Sequence, residues 1–108
     1  MSRESTAFEQ SVYALLMKIP VGKVVTYREM ARALDCGSAQ AIGQALKRNP
    51  LAPEVPCHRV IKTDGGIGGY SGETMGPKLK EKLELLASEG VGFDATGKLQ
   101  DPKRLHHF

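Results

Sequence analysis

The chain has 108 residues, 41% of them hydrophobic, enough for one small globular domain with a single core and too few for a second. Fifteen Lys and Arg against twelve Asp and Glu give a formal charge of +3, a balance that suits a polyanionic partner without identifying one. No apolar run approaches the roughly 20 residues of a membrane span, the opening residues lack a signal-peptide core, and Cys36 and Cys57 lie on different predicted elements without metal-ligand spacing, so we expect a soluble intracellular protein, cytoplasmic or nuclear, with free thiols, no metal and no cofactor.

Phe8, Val12, Leu15, Leu16 and Ile19 recur at helical spacing, and Thr6 with Glu9 makes a capping box, so residues 6–18 read as an amphipathic helix that Pro20 and Gly22 end. Val24 and Val25 are β-branched and read as a short strand. Thr26-Tyr27-Arg28-Glu29 then forms a second capping box, opening a helix to about Leu34. Gly37 breaks the chain, and Ser38 caps a further helix carrying Ala39, Ala41, Ile42, Ala45 and Leu46. Two short helices joined by a short turn are the outline of a helix-turn-helix. Arg28, Arg32, Lys47 and Arg48 lie in or beside this pair, which gathers positive charge there.

Pro50, Pro53 and Pro56 forbid helix and predict an extended surface loop leading to Cys57. Residues 60–67 read as a small hairpin with an Asp64-Gly65 turn, and Gly68 to Gly76 as a glycine-rich loop shaped by its surroundings or a ligand. Pro77 suits the first position of a last helix with Leu79, Leu83 and Leu86 on its apolar side, ended by Gly90. From Val91 onward the pattern is mixed and uninformative.

Pro56-Cys57-His58-Arg59-Val60 sets a thiol beside an imidazole, and a thiol reacts as the thiolate, which a neighbouring base or cation favours. With Asn49-Pro50 upstream and Gly68-Gly69-Tyr70-Ser71-Gly72 and Leu85-Leu86-Ala87-Ser88-Glu89-Gly90 downstream, this order resembles the C-terminal domain of the O6-alkylguanine-DNA alkyltransferases, from about Phe8 to Phe93. Those suicide DNA-repair proteins move an alkyl group from guanine to their own cysteine. The resemblance supports an α+β, winged-helix-like domain with a helix-turn-helix, a short hairpin and a C-terminal helix. It further implies a monomer in which residues 1–108 are one catalytic and DNA-binding domain without the additional N-terminal domain such proteins usually carry.

By the same resemblance, Cys57 is the nucleophile, His58 takes its proton through a bound water, Glu89 orients the imidazole and Asn49 braces the loop. A base inside a duplex offers no path to its O6 alkyl carbon, so the nucleotide has to be flipped out, at a cost of a few kcal/mol. The partner implied is double-stranded DNA holding O6-alkylguanine, approached from the minor groove. The helix begun by Ser38, Ala39, Gln40 and Ala41 enters the groove, Arg28 and Lys47 meet phosphates, and Tyr27 stands by the flipped nucleotide. Val60 backbone and the Tyr70-Ser71 segment hold the guanine edge, while Gly68 and Gly72 leave room for the alkyl group.

Two positions depart from the family pattern. Gln40 stands where an arginine commonly fills the vacated base stack, and Glu73 follows Tyr70-Ser71-Gly72 where a second glycine is usual. A different class also shares the short length, the alkyltransferase-like proteins, which bind the lesion without removing it. They carry tryptophan or alanine in place of the reactive cysteine, so Cys57 argues for transfer.

Overall fold

The computed structural model of the chain describes residues 6–49, 54–68 and 76–108. Helix α1 spans Ala7–Leu16, strand β1 Val25–Thr26, helices α2 and α3 Tyr27–Ala33 and Ala39–Lys47, strand β2 Val60–Ile61, and helix α4 Pro77–Ser88. Single 3-10 turns cover Cys57–Arg59 and Pro102–Arg104. No helix among the described residues is long and apolar enough to cross a membrane.

The helix starts follow their capping chemistry. Thr6 Oγ accepts from Glu9 N at 3.1 Å while Thr6 N donates to the Glu9 carboxylate at 2.9 Å, a complete capping box. Ser38 caps α3 through Ala41 N at 3.1 Å, and Pro77 occupies the first turn of α4. The second expected box is half formed. Thr26 Oγ accepts from Glu29 N at 3.1 Å, but the Glu29 carboxylate turns to Arg32 and to Phe108 N (2.8 Å), because a cation and a tail amide compete for it.

Strands β1 and β2 pair in parallel, Val25 opposite Val60 and Thr26 opposite Ile61, with α2 and α3 in the crossover between them. Successive residues face opposite sides of so short a ribbon. Val25 and Val60 join a cluster with Val12, Leu15, Leu16, Ile19, Met30, Ile42, Ala45, Leu46 and Cys57, while Val24 and Ile61 join Leu86 and Val91. Burying each large aliphatic side chain contributes about 1.5–3 kcal/mol, against less than about 1 kcal/mol for an exposed ion pair such as Lys80–Glu84. The first cluster therefore sets how α1 and the α2–α3 pair surround Cys57.

The hairpin expected over residues 60–67 is altered. The chain does reverse at Asp64-Gly65, where Gly65 N donates to Lys62 O (2.9 Å) and Lys62 N to Gly66 O (2.9 Å). Its first arm, however, pairs with β1, and its return arm bridges Gly66 to Lys98 in the C-terminal segment. That segment, which the sequence left without a pattern, also pairs Phe93 with Leu99 and Val24 with Leu105. In α4 the apolar side differs by one residue from expectation: Lys82 is 1% exposed, whereas Leu83 is 37% exposed.

Candidate active site and nucleic-acid interface

Proline sets up the turn that carries the thiol. Pro56 precedes the Cys57–Arg59 turn, Arg59 N donates to Pro56 O at 3.0 Å, and Cys57 N donates to Val55 O at 2.9 Å. Asn49 Nδ2 donates to the same Val55 oxygen at 2.8 Å, two residues ahead of the thiol. Cys57 and His58 are both buried, the imidazole at 2% exposure.

Glu89 follows α4, where Gly90 at φ +84° ends the helix in a conformation that a side chain would strain. Its carboxylate receives three bonds. His58 Nε2 lies 3.0 Å from Oε2, Arg59 Nε donates to Oε1 at 2.9 Å, and Arg59 Nη2 donates to Oε2 at 2.9 Å. Arg59 Nη1 reaches Ile19 O at 2.9 Å and so ties the assembly to the end of α1. Burial alone raises the Glu89 carboxyl, but the Arg59 and His58 hydrogen bonds and charges outweigh it and hold the group below its ordinary range. A carboxylate opposite Nε2 assigns the proton to that nitrogen and leaves Nδ1 as the acceptor. Nδ1 is buried and has no hydrogen-bond partner among the described residues. Burial pushes the imidazole below its usual range; Glu89 pulls it up, and Arg59 and Lys82 push it further down. The net result is a neutral base at neutral pH beside a buried thiol.

Tyr27 opens α2 and is half-buried, its phenol raised first by burial and then by the charge of Cys57, which puts it within electrostatic reach of the thiol. Val60 is buried, and its carbonyl accepts from Lys82 Nζ at 2.8 Å. Gly68 has φ +70°, and a Cβ there would come 3.3 Å from Lys62 Cγ and 3.7 Å from Lys82 Nζ. Any side chain at this position would be both strained and crowded. Tyr70, Ser71, Gly72 and Glu73 lie outside the described residues.

Arg28, Ser38, Gln40 and Lys47 are exposed, Ala41 is half-buried, and Ala39 begins α3. Tyr27 and Gln40 meet at a hollow of about 520 Å³ completed by Gly43 of α3 and Lys62, Thr63 and Asp64 of the turn. Lys47 ends α3, about 12 Å along the axis from Ala39, so it is not brought to that hollow. Sequence reasoning assigned no role to Arg59 or Lys82. Arg59 had a signal in its place directly after His58, and Lys82 in its helical spacing from Leu79 and Leu86.

The family model for the DNA-binding domain of 6-O-methylguanine DNA methyltransferase matches residues 7–91. A methylated-DNA–protein-cysteine methyltransferase of Saccharolobus solfataricus is 50% identical over 84 residues, covering 78% of this chain and 51% of that protein. The chain thus spans about half the length of the curated relatives it matches. Among solved structures, the O6-methylguanine-DNA methyltransferase of Pyrococcus kodakaraensis superposes with a TM-score of 0.70 at 46% identity, over 80% of this chain and 47% of that one. Atl1 of S. pombe, in complex with damaged DNA containing O6-carboxymethylguanine, superposes with a TM-score of 0.79 at 31% identity, over 98% of this chain and 100% of that one.

Proposed function

The chain belongs to the 6-O-methylguanine DNA methyltransferase family through its DNA-binding domain, and on that premise we propose that it repairs O6-alkylguanine in DNA by moving the alkyl group to Cys57. The observation that carries this reading is the buried Cys57 and His58 with the partly buried Glu89, whose carboxylate fixes the proton on His58 Nε2. His58 Nδ1 takes the thiol proton and passes it on. The thiolate attacks the alkyl carbon, the S–C bond forms as the C–O6 bond breaks, and the purine leaves with a proton in place of its alkyl group. The thioether is not cleaved again, so each chain acts once.

The partner is double-stranded DNA. Exposed Ser38 and Gln40 at the start of α3, with the helix dipole behind them, support an approach to the backbone from the minor groove. Arg28 and Lys47 add sequence-independent attraction to phosphates. The flipped guanine passes the Tyr27–Gln40 hollow toward Cys57, held by Val60 backbone and by Tyr70 and Ser71, with Gly68 and Gly72 leaving space for the alkyl group.

One observation favours a second reading, that of a sensor that binds the lesion without removing it: the likeness to Atl1 runs over nearly the whole of both chains. Cys57 stands against it. Mixing the protein with a duplex containing O6-methylguanine and weighing it intact distinguishes the two. Transfer adds one methyl group, about 14 mass units, to the peptide holding Cys57 and none to that holding Cys36. An unmodified protein that still binds the lesion would overturn the transfer reading in favour of the sensor.

A further inference from the structure

Beside the Tyr27–Gln40 hollow lies a second, of about 280 Å³, and the two share a wall made by Lys62 and Asp64. Lys98 lines the second hollow from the C-terminal segment, past residue 91 where the match to the family model ends. Two turns bring these lysines together. One runs from Lys62 to Gly66, the other from Asp94 to Lys98, where Asp94 N donates to Lys98 O at 2.8 Å. Backbone bonds join the turns, Leu99 N to Gly65 O at 2.9 Å and Ile67 N to Gly97 O at 2.8 Å. Asp64 gathers the two ammonium groups: Lys98 Nζ lies 3.0 Å and Lys62 Nζ 3.9 Å from its Oδ2, while Gly66 N holds its Oδ1 at 2.9 Å. The stem of Lys62 lies across two glycines, since a Cβ on Gly66 would come 3.4 Å from Lys62 Cδ and one on Gly68 would come 3.3 Å from its Cγ. Both lysines keep their ends in solvent, at 59% exposure for Lys62 and 46% for Lys98.

We propose that Lys62 and Lys98 extend the DNA surface across the entry hollow, each meeting a backbone phosphate beside the flipped nucleotide on the side away from α3. The proposal rests on the DNA-binding reading above and carries that surface into the C-terminal segment. Charge placement argues for it. Among the described residues that line the two hollows, Lys62 and Lys98 are the cations and Asp64 the anion, so two positive charges against one negative leave a surplus of +1. From α3 the first hollow is lined by neutral Gln40 and Gly43, and Lys47 lies too far along that helix to reach it. A phosphate drawn toward the hollow as its base rotates out therefore meets cationic side chains at the turns and none on α3. Gln40 can occupy space and hydrogen-bond there, but the charge has to come from across the hollow. Lysine suits this task, because a compact ammonium with three donors meets phosphate oxygens without demanding one orientation. The joined turns and Asp64 hold the two side chains together before DNA arrives, which lowers the cost of ordering them on binding.

Lys62→Gln and Lys98→Gln keep most of each stem and remove its charge. Both are placed in a Cys57→Ser background, where no transfer can consume the lesion, so the assay serves a sensor as well as a transferase. Binding to a fluorescent duplex containing O6-methylguanine is followed by anisotropy between about 50 and 200 mM salt. Each variant is expected to flatten the slope of log affinity against log salt by about 0.9, so its affinity falls about 3.5-fold less than the parent's over that range. The double variant should lose about twice as much slope, and arginine at both positions should keep it. Lys80→Gln is the control, since Lys80 lines neither hollow and pairs with Glu84 on α4. A slope unmoved in either lysine variant, or an equal loss in Lys80→Gln, would overturn the assignment. A flat titration of the parent would instead defeat the DNA-binding reading beneath it, so the two failures are told apart. The ion pairs to Asp64 are exposed, so melting temperatures should hold; if one variant does not fold, the other decides by the same criterion.

Discussion

Replacing Glu89 by glutamine keeps the shape of the side chain and removes the charge that His58 and Arg59 share. The carboxylate accepts bonds of 3.0, 2.9 and 2.9 Å, and charge-assisted bonds of this kind contribute about 1.5–3 kcal/mol each. The amide keeps one accepting oxygen, and with Arg59 and Glu89 13% and 14% exposed, water screens part of what is lost. A destabilisation of about 2–3 kcal/mol follows, on the order of 10–15 °C in melting temperature for a chain of this size. The effect on chemistry is larger, because the amide no longer holds the proton on Nε2, and transfer should slow by about 10²–10⁴. Arg59→Met is the control. It loses two bonds to Glu89 and one to Ile19, so it is destabilised to a similar degree, yet it leaves the His58–Glu89 bond in place. Its rate should fall no more than about tenfold, the size of a one-unit change in a base.

The pH profile supplies a sign test. Burial holds His58 below its usual range and the rate falls as pH drops through that depressed value; Glu89 raises the value and Arg59 lowers it. The acid limb should therefore move to lower pH in Glu89→Gln and to higher pH in Arg59→Met. Single-turnover transfer from an O6-methylguanine duplex, measured between about pH 5 and 8 and below both melting temperatures, reads rate and limb together. Equal losses of rate with limbs moving the same way would refute the relay and leave Glu89 a structural residue.

Affinity for undamaged duplex should fall steeply with salt, and Arg28→Ala or Lys47→Ala should each flatten the logarithmic slope by about 0.9, one phosphate contact; a flat titration of the parent chain would remove the DNA-binding claim. Gln40→Arg should speed repair in duplex, about fivefold for each 1 kcal/mol recovered from base flipping, and leave reaction with free O6-benzylguanine unchanged. Equal changes in both reactions, or in neither, would dismiss position 40 as the residue that fills the vacated stack.

Where a side chain acts on its own neighbours, the sequence was readable. Thr6, Thr26, Ser38 and Pro77 each mark a helix start because capping involves residues at most three apart. Cys57, His58 and Glu89 were legible through the family's motif, and the structure brings the last two within a hydrogen bond. The register of α4 was not. Leu83 and Lys82 both fit helical spacing with Leu79 and Leu86, and hydrophobicity chose the leucine, whereas in the structure the lysine turns inward and donates to the carbonyls of Val60 and Ile67. The return arm after Asp64-Gly65 was misassigned for a similar reason. Gly66 finds its partner at Lys98, and no local pattern announces a single bridge across so long a separation. Glu29 shows the same effect in a capping box, since Phe108 takes the bond that short-range logic gave to Thr26.

The outer edge of β1 has a consequence for handling the protein. A two-stranded ribbon with an open edge is a template on which another chain can add a strand. Here Val24 N donates to Arg104 O at 2.8 Å and His106 N donates to Val24 O at 2.7 Å, so the C-terminal segment occupies that edge. Residues 101–103, just before it, are exposed. A protease that nicks the chain there would uncover β1 without touching Cys57, and the preparation would aggregate through strand addition while its nucleophile remained intact.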